Sequence, residues 1–215
     1  MKEIKHLWKQ ALTASVALMI LCGLGFPLLL TVLAQLLFPH QAAGSPMIEN
    51  GTVIGSEFVG QEFTQPYFLK GRPSAVHYNT YFETAEGSKV YADGTPFSGL
   101  ASGSQNLGPS NPALRQRVEE DLAAFLAENP SIRPDEIPAD LLTASGSGLD
   151  PHISPQAAAV QLPGIARASG LSVEQLEQIV QDHTSGKLLG LFGAETVHVL
   201  GCNRDIARAM AMQNP

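Results

Sequence analysis

Ser145, Ser147, Asp150 and His152 fall within eight residues of one another, in the stretch TASGSGLDPHISP at 143–155. A hydroxyl, an imidazole and a carboxylate are the parts of a nucleophilic hydrolase. Such triads draw their members from separated parts of a chain, because each side chain must point at one spot. Here the groups are local and Pro151 breaks the run, so turn and cap chemistry is the expected use. His77, His152, His183 and His198 are scattered, with no HExxH or CxxC spacing, and Asp150-x-His152 supplies at most two ligands. Neither the phosphate loop GxxxxGK[ST] nor the elbow GxSxG occurs. Catalytic residues and metal ligands are therefore expected to be none. The Gly-Ser run Ser98–Gln105 reads as a flexible loop.

The elements that would hold these groups begin with a membrane segment. Ala11–Phe38 is 28 residues without a charge, and about 20 apolar residues suffice to cross a bilayer. Gly23 and Pro27 lie inside it. Pro is tolerated in membrane helices, where neighbouring groups satisfy the freed carbonyl, and small residues admit a second helix. Lys2, Lys5 and Lys9 precede the run and no Lys or Arg follows until Lys70. That asymmetry predicts a single span with its N-terminus in the cytoplasm. A cleaved signal peptide is the competing reading, with Ala42-Ala43-Gly44 as its site, but the apolar run is about twice the usual length. The expected organisation is a cytoplasmic N-terminus at 1–10, a transmembrane helix at 11–38, a linker at 39–50 and one extracytoplasmic domain at 51–215.

Beyond Phe38 there are 19 acidic and 10 basic residues, a net charge of about −9. That sign argues against nucleic acid and against anionic lipid as partners. Cys22 lies in the apolar run and Cys202 in the outer domain, so the two are expected not to pair, and Cys202 reads as a small buried residue.

Thr52–Ile54 reads as a short strand ending at Gly55, with Phe58–Phe63 extending or pairing with it. Glu83–Gly108 reads as a long loop, the least ordered part. Asn111-Pro112 is a helix start, followed by Leu114, Val118, Leu122, Phe125 and Leu126 at helical spacing and a stop at Asn129-Pro130. Ser154-Pro155 starts a second helix, which Pro163 must break or kink. Ser172 and Gln175 form a capping box for a third, flanked by Leu171 and Leu176 and ending at Gly186. Glu195–Leu200 reads as a strand and Asn203–Met212 as a terminal helix. The fold class expected is α+β behind one membrane helix.

Three motifs give the outer domain a family resemblance. The first is Gly60-Gln61-x-Phe63 with Tyr67-Phe68-x-x-Gly71-Arg72-Pro73-Ser74-Ala75 and Tyr78-Asn79. The second is Asn106-Leu107-Gly108-Pro109-Ser110-Asn111-Pro112. The third runs from Leu142-Thr143 through Ser145, Ser147 and Asp150 to Ile153-Ser154-Pro155-Gln156-Ala157-Ala158. In this order behind one membrane helix, they resemble the small C subunit of the bacterial Kdp potassium-transporting ATPase.

The resemblance implies a non-catalytic subunit of the cytoplasmic (inner) membrane. Its partners would be a channel-like potassium-binding subunit, a catalytic P-type ATPase subunit and a further small membrane subunit. It would stabilise their assembly, and promotion of ATP binding by the catalytic subunit has been proposed for the family. ATP, magnesium and potassium would act in the complex, with no cofactor on this chain. The implied assembly residues are Gly71, Arg72, Pro73, Ser74, Tyr78, Asn79, Asn106, Leu107, Ser110, Asn111, Pro112, Thr143, Ser145, Ser147 and Asp150, with Ala11, Gly23, Pro27 and Phe38 marking the anchor. Two departures stand out: 81–97 looks like an insertion, and Val199–Arg204 only partly matches the family's Leu-rich ending. Two other readings stay open, a membrane-tethered extracytoplasmic binding or sensor domain acting without a pump, and an anchored hydrolase using Ser145 or Ser147 with His152.

Overall fold

A computed structural model describes residues 2–91 and 94–213. The chain divides into two compact units, Met1–Ile54 and Gly55–Pro215.

In the first unit, helix α1 (Lys2–Ile20) passes through a π-helical turn at Leu21–Gly25 into α2 (Phe26–Leu37). The cause of the wide turn is Pro27, which has no N–H for the carbonyl four residues back and whose ring would strike it. Phe26 N–H reaches Leu21 O instead, one residue further than an α-helix allows. His6–Leu37 is one continuous helical run, long and apolar enough to cross a membrane, and its side chains are exposed along it. A short α3 (Pro39–Ala42) follows, then strands β1 (Pro46–Glu49) and β2 (Thr52–Ser56), which pair with each other. The stretch read as a bare linker thus contains a helical turn and a strand. Asn50 and Gly51 turn the hairpin with φ of 48° and 79°, the left-handed pair that a two-residue connection requires. The expected Phe58–Phe63 strand does not form. Ser56 bridges back to Val59 alone, and Gly55 lies inside β2 rather than ending it.

The second unit is built of helices and short antiparallel strands, the α+β organisation expected. The 3₁₀ turn His77–Asn79 and a small hairpin of β3 (Phe82–Glu83) and β4 (Lys89–Val90) lead to α4 (Pro112–Glu128). The hairpin gives structure to the segment read as a loop; Ala92 and Asp93 of the suspected insertion lie outside the described residues. Asn111 caps α4, its side-chain oxygen accepting from Ala113 N–H at 3.0 Å. Two 3₁₀ turns, Pro134–Glu136 and Ala139–Leu141, precede β5 (His152–Ile153). Ser154 then caps α5 (Pro155–Ala159), and the break imposed ahead of Pro163 separates it from α6 (Leu162–Ser169). The Ser172–Gln175 capping box starts α7 (Val173–Asp182). Each such cap is worth about 1 kcal/mol.

Two boundaries differ from expectation. Helix α7 stops at Asp182, four residues before Gly186, because Thr184–Ser185 turns out as β6 to pair with β7 (Thr196–His198). Helix α8 begins at Val199 and runs to Gln213, taking Val199 and Leu200 from the expected strand. The sheet order is β5-β7-β6, all antiparallel. Leu69, Ile153, Ala157, Leu162, Ile165, Leu176, Val197, Cys202 and Ile206 close the core against it. Each large aliphatic side chain there contributes about 1.5–3 kcal/mol.

Candidate functional site: a knot of two loop motifs

The third motif is the axis to which the first motif and the loop at Gly103 are tied. Its backbone takes bonds from three distant segments: Ser145 N–H donates to Pro73 O at 3.1 Å, Gly103 N–H to Ser147 O at 2.7 Å, and Gly60 N–H to Leu149 O at 2.9 Å. Loops so joined behave as one body, because each buried backbone group has its partner in another loop.

Side chains from the first motif lock the arrangement. Ser74 Oγ donates to Gly148 O at 2.7 Å and accepts the N–H groups of Val76 and Tyr78 at 3.2 and 3.0 Å. Tyr78 O–H donates to Arg72 O at 2.6 Å. Asn79 exchanges both amide bonds with Ala101, each at 2.9 Å. Arg72 spans the knot: Nη1 approaches Asp150 Oδ2 at 3.4 Å, and Nη2 the carbonyls of Thr143 and Ala144 at 3.3 and 3.4 Å. Asp150 meanwhile accepts His152 N–H at 3.0 Å, holding the chain at the entrance to β5.

Glycines make room for Tyr78. A Cβ on Gly60 would lie 2.5 Å from its ring and 2.6 Å from Asp150 O; one on Gly71 would lie 2.7 Å from its hydroxyl. Gly148 has a φ of 68° and would place a Cβ 2.6 Å from Val76 and 2.8 Å from Gly103 O. His77, Tyr78 and Asn79 follow one another with φ of 47°, 53° and 56°. Such backbone is costly for side chains larger than Gly and persists only where its surroundings enforce it. Burial and the carboxylate of Asp150 push the Tyr78 hydroxyl above the usual tyrosine range, so it stays a donor.

The hydrolase geometry is not built here. Asp150 faces Arg72, and Ser147 Oγ accepts Leu149 N–H at 3.1 Å. Ser145 is buried, and its hydroxyl has no protein partner among the described residues. His152 sits across from His198 in the β5–β7 pairing, their rings 5.6 Å apart, and its Nδ1 lies 3.8 Å from Asp150 Oδ1. His198 is half-buried, and burial with the neighbouring His152 lowers its pKa from 6.5. His183 Nε2 meets Asp205 at 2.7 Å, joining the end of α7 to α8. No group of three or more acidic, His or Cys side chains able to hold a metal occurs among the described residues. Cys202 is buried and its thiol is pushed up to about 12 by burial.

The second motif lies apart from the knot's polar bonds. Asn106, with φ of 50°, and Ser110, Asn111 and Pro112 are exposed around the start of α4. Leu107 is half-buried and lines a shallow groove of about 160 Å³ with Asn106, Leu114, Arg117, Thr143 and Ala144. The second and third motifs therefore share one surface feature.

Two buried amides escaped the sequence reading. Asn203 of α8 accepts Leu69 N–H at 2.8 Å and donates to Leu69 O at 2.9 Å. Gln161 does the same for Lys70, at 2.8 and 3.2 Å. Side chains thus stand in for a neighbouring strand and fix the two residues that lead into Gly71 and Arg72. Neither amide carries a local pattern that a sequence reading could use.

Comparison with known proteins gives the knot its setting. The family model of the K+-transporting ATPase c chain, KdpC, matches residues 8–208. A potassium-transporting ATPase KdpC subunit of Clostridium kluyveri is 51% identical over 206 residues, covering 96% of this chain and 95% of the relative. That of Clostridioides difficile is 48% identical, covering 95% and 98%. One from Rhodopseudomonas palustris is 44% identical, covering 94% and 95%. The chain belongs to the KdpC family, the c chain of the K+-transporting ATPase.

Proposed function

We propose that this chain is the accessory, assembly-stabilising subunit of an ATP-driven potassium importer in the bacterial cytoplasmic membrane. One observation carries the reading. The polar groups of Arg72, Ser74, Tyr78 and Asp150 are spent on holding loops to one another, which suits a shaped docking body rather than a reaction centre. The surface so shaped, from Asn106 to Pro112 beside Thr143, docks the channel-like potassium-binding subunit. The helix with Gly23 and Pro27 packs beside membrane helices of the complex, including the catalytic P-type subunit and a further small one. The N-terminus is cytoplasmic and the domain extracytoplasmic, as the flanking lysines favour. Neither the ion path nor the phosphorylated aspartate is on this chain. ATP, magnesium and potassium act at the level of the complex, and any promotion of ATP binding is exerted through assembly.

A binding or sensor domain working without a pump is the second reading. A half-open cavity of about 540 Å³ beside Arg72, lined also by Lys70, His77 and Glu128, favours it. Affinity purification of the tagged full chain from potassium-starved cells separates the two. Recovery of a channel-like subunit and a P-type ATPase supports the accessory role, and recovery of the chain without them overturns it.

A further inference from the structure

Two imidazoles converge on the first turn of α8, and a third faces them from β5. His198 ends β7 and directly precedes Val199, the first residue of α8. Its Nδ1 accepts the N–H of Gly201 at 3.2 Å, so the imidazole caps the helix as a Ser or Asn side chain would. Only an unprotonated Nδ1 can accept, which places the proton of the neutral ring on Nε2. Nε2 is buried and makes no hydrogen bond of normal geometry among the described residues. A Cβ on Gly201 would lie 2.6 Å from His183 Nδ1 and 2.9 Å from His198 Nδ1, so both rings close on the same turn. His152 faces His198 across the sheet, with Asp150 beside it. His183 binds Asp205, which Arg204 and Arg208 also hold. Burial first, then His152 and His183, disfavour the charged form of His198. The backbone and carboxylate of Glu57, just beyond β2, favour it and are outweighed, so its pKa falls below 6.5.

We infer that His198 is an acid release for α8 and for the loops it holds: a proton on Nδ1 ends the bond to Gly201 N–H and sets an imidazolium at the start of the helix. The second effect adds to the first, because the N-terminal end of a helix repels a cation. The turn so freed carries Asn203, whose amide holds Leu69 N–H and O at 2.8 and 2.9 Å. Leu69 leads through Lys70 into Gly71 and Arg72 of the knot. Val199 N–H stays on Pro151 O at 3.0 Å, since neither group titrates, and the turn loosens beyond that point. The loops therefore keep their shape only while His198 is neutral. The inference rests on the accessory-subunit reading for its consequence, that acid on the domain's side of the membrane loosens the body that docks the companion subunits.

The test is hydrogen–deuterium exchange of the detergent-solubilised full chain from neutral to mildly acid pH, read at the Leu69 and Gly201 amides and corrected for the intrinsic pH dependence of exchange. Losing the cap and gaining a cation beside it should cut the protection of both amides about tenfold as pH falls below about 6.5. His198→Asn keeps a neutral side-chain acceptor at the cap, so its protection should not change with pH. His152→Gln removes one opposing imidazole and should move the fall to higher pH. Wild-type protection that is independent of pH overturns the inference, and so does a fall that persists undiminished in His198→Asn. Should that variant not fold, nitrogen NMR of the wild-type imidazoles decides. A neutral His198 ring protonated on Nε2, gaining its second proton on Nδ1 in acid, supports the cap; a neutral ring protonated on Nδ1 overturns it. Recovery of companion subunits at neutral pH is scored separately: recovery of none overturns the accessory role and leaves the exchange result to decide the cap.

Discussion

Arg72 offers the sharpest test of the knot. Replacing it by Ala removes the two ends of a planar fork, one on Asp150 at 3.4 Å and the other on the carbonyls of Thr143 and Ala144 at 3.3 and 3.4 Å. Charge-assisted bonds contribute about 1.5–3 kcal/mol when short and buried. These are long, and the side chains of Arg72 and Asp150 are 27% and 29% exposed, so solvent screening reduces their worth. Arg72 Nε is buried with no partner among the described residues, and that desolvation offsets part of the gain. A net loss of about 1.5 kcal/mol is expected. For a domain of this size, 1 kcal/mol moves the melting temperature by about 2–4 °C, so Arg72→Ala should lower it by roughly 3–6 °C. Arg72→Lys keeps the charge but cannot span two loops, and should behave like Ala. The assay is thermal unfolding of the detergent-solubilised full chain, followed by near-ultraviolet circular dichroism. Wild-type melting of the Lys variant, with a clear fall for Ala, would show that charge alone suffices and that the fork is not the brace. No change in either would refute the brace entirely.

Three other outcomes follow from the same geometry. Gly148→Ala forces a Cβ to within 2.6 Å of Val76 on left-handed backbone, so equilibrium denaturation should register about 2–4 kcal/mol of lost stability; a loss under about 0.5 kcal/mol would refute the tight approach. His198 has a lowered pKa, so the unfolded chain takes up protons first: its contribution is complete above pH about 6.5 and is lost as pH falls below that value. His198→Gln should flatten the melting profile below about pH 6.5, and an unchanged profile would assign the acid sensitivity elsewhere. Ser145→Ala and His152→Ala should leave ATP turnover per assembled complex unchanged; a fall of about a thousandfold with normal assembly would restore a catalytic role.

The parts of the fold legible in the sequence were those written locally. Asn111, Ser154 and Ser172 announce helix starts because a cap is a contact over two or three residues. The membrane run is legible because length and the absence of charge are enough. Strand β2 was legible at Thr52–Ile54, but β1 was missed because Pro46–Glu49 read as linker, and only pairing reveals it as a strand. The motifs mark loops but not the bonds between them. Ser74 meets Gly148 and Arg72 meets Asp150 across more than 70 residues, and Asn203 meets Leu69 across 134. Contacts at such separation leave no periodicity to read. Leu188–Phe192 carries no motif and no helix or strand period, and only the structure shows its apolar side chains exposed.

The proposed role is that this chain holds a potassium-transporting ATPase together without performing its chemistry. The direct measurement is potassium-stimulated ATP hydrolysis of the detergent-purified complex, expressed with and without the chain and normalised to the catalytic subunit in the membrane. Omission should leave the catalytic subunit present but little assembled complex, and turnover per assembled complex should be normal when the chain is restored. Full assembly and full potassium-stimulated turnover in its absence would contradict the claim.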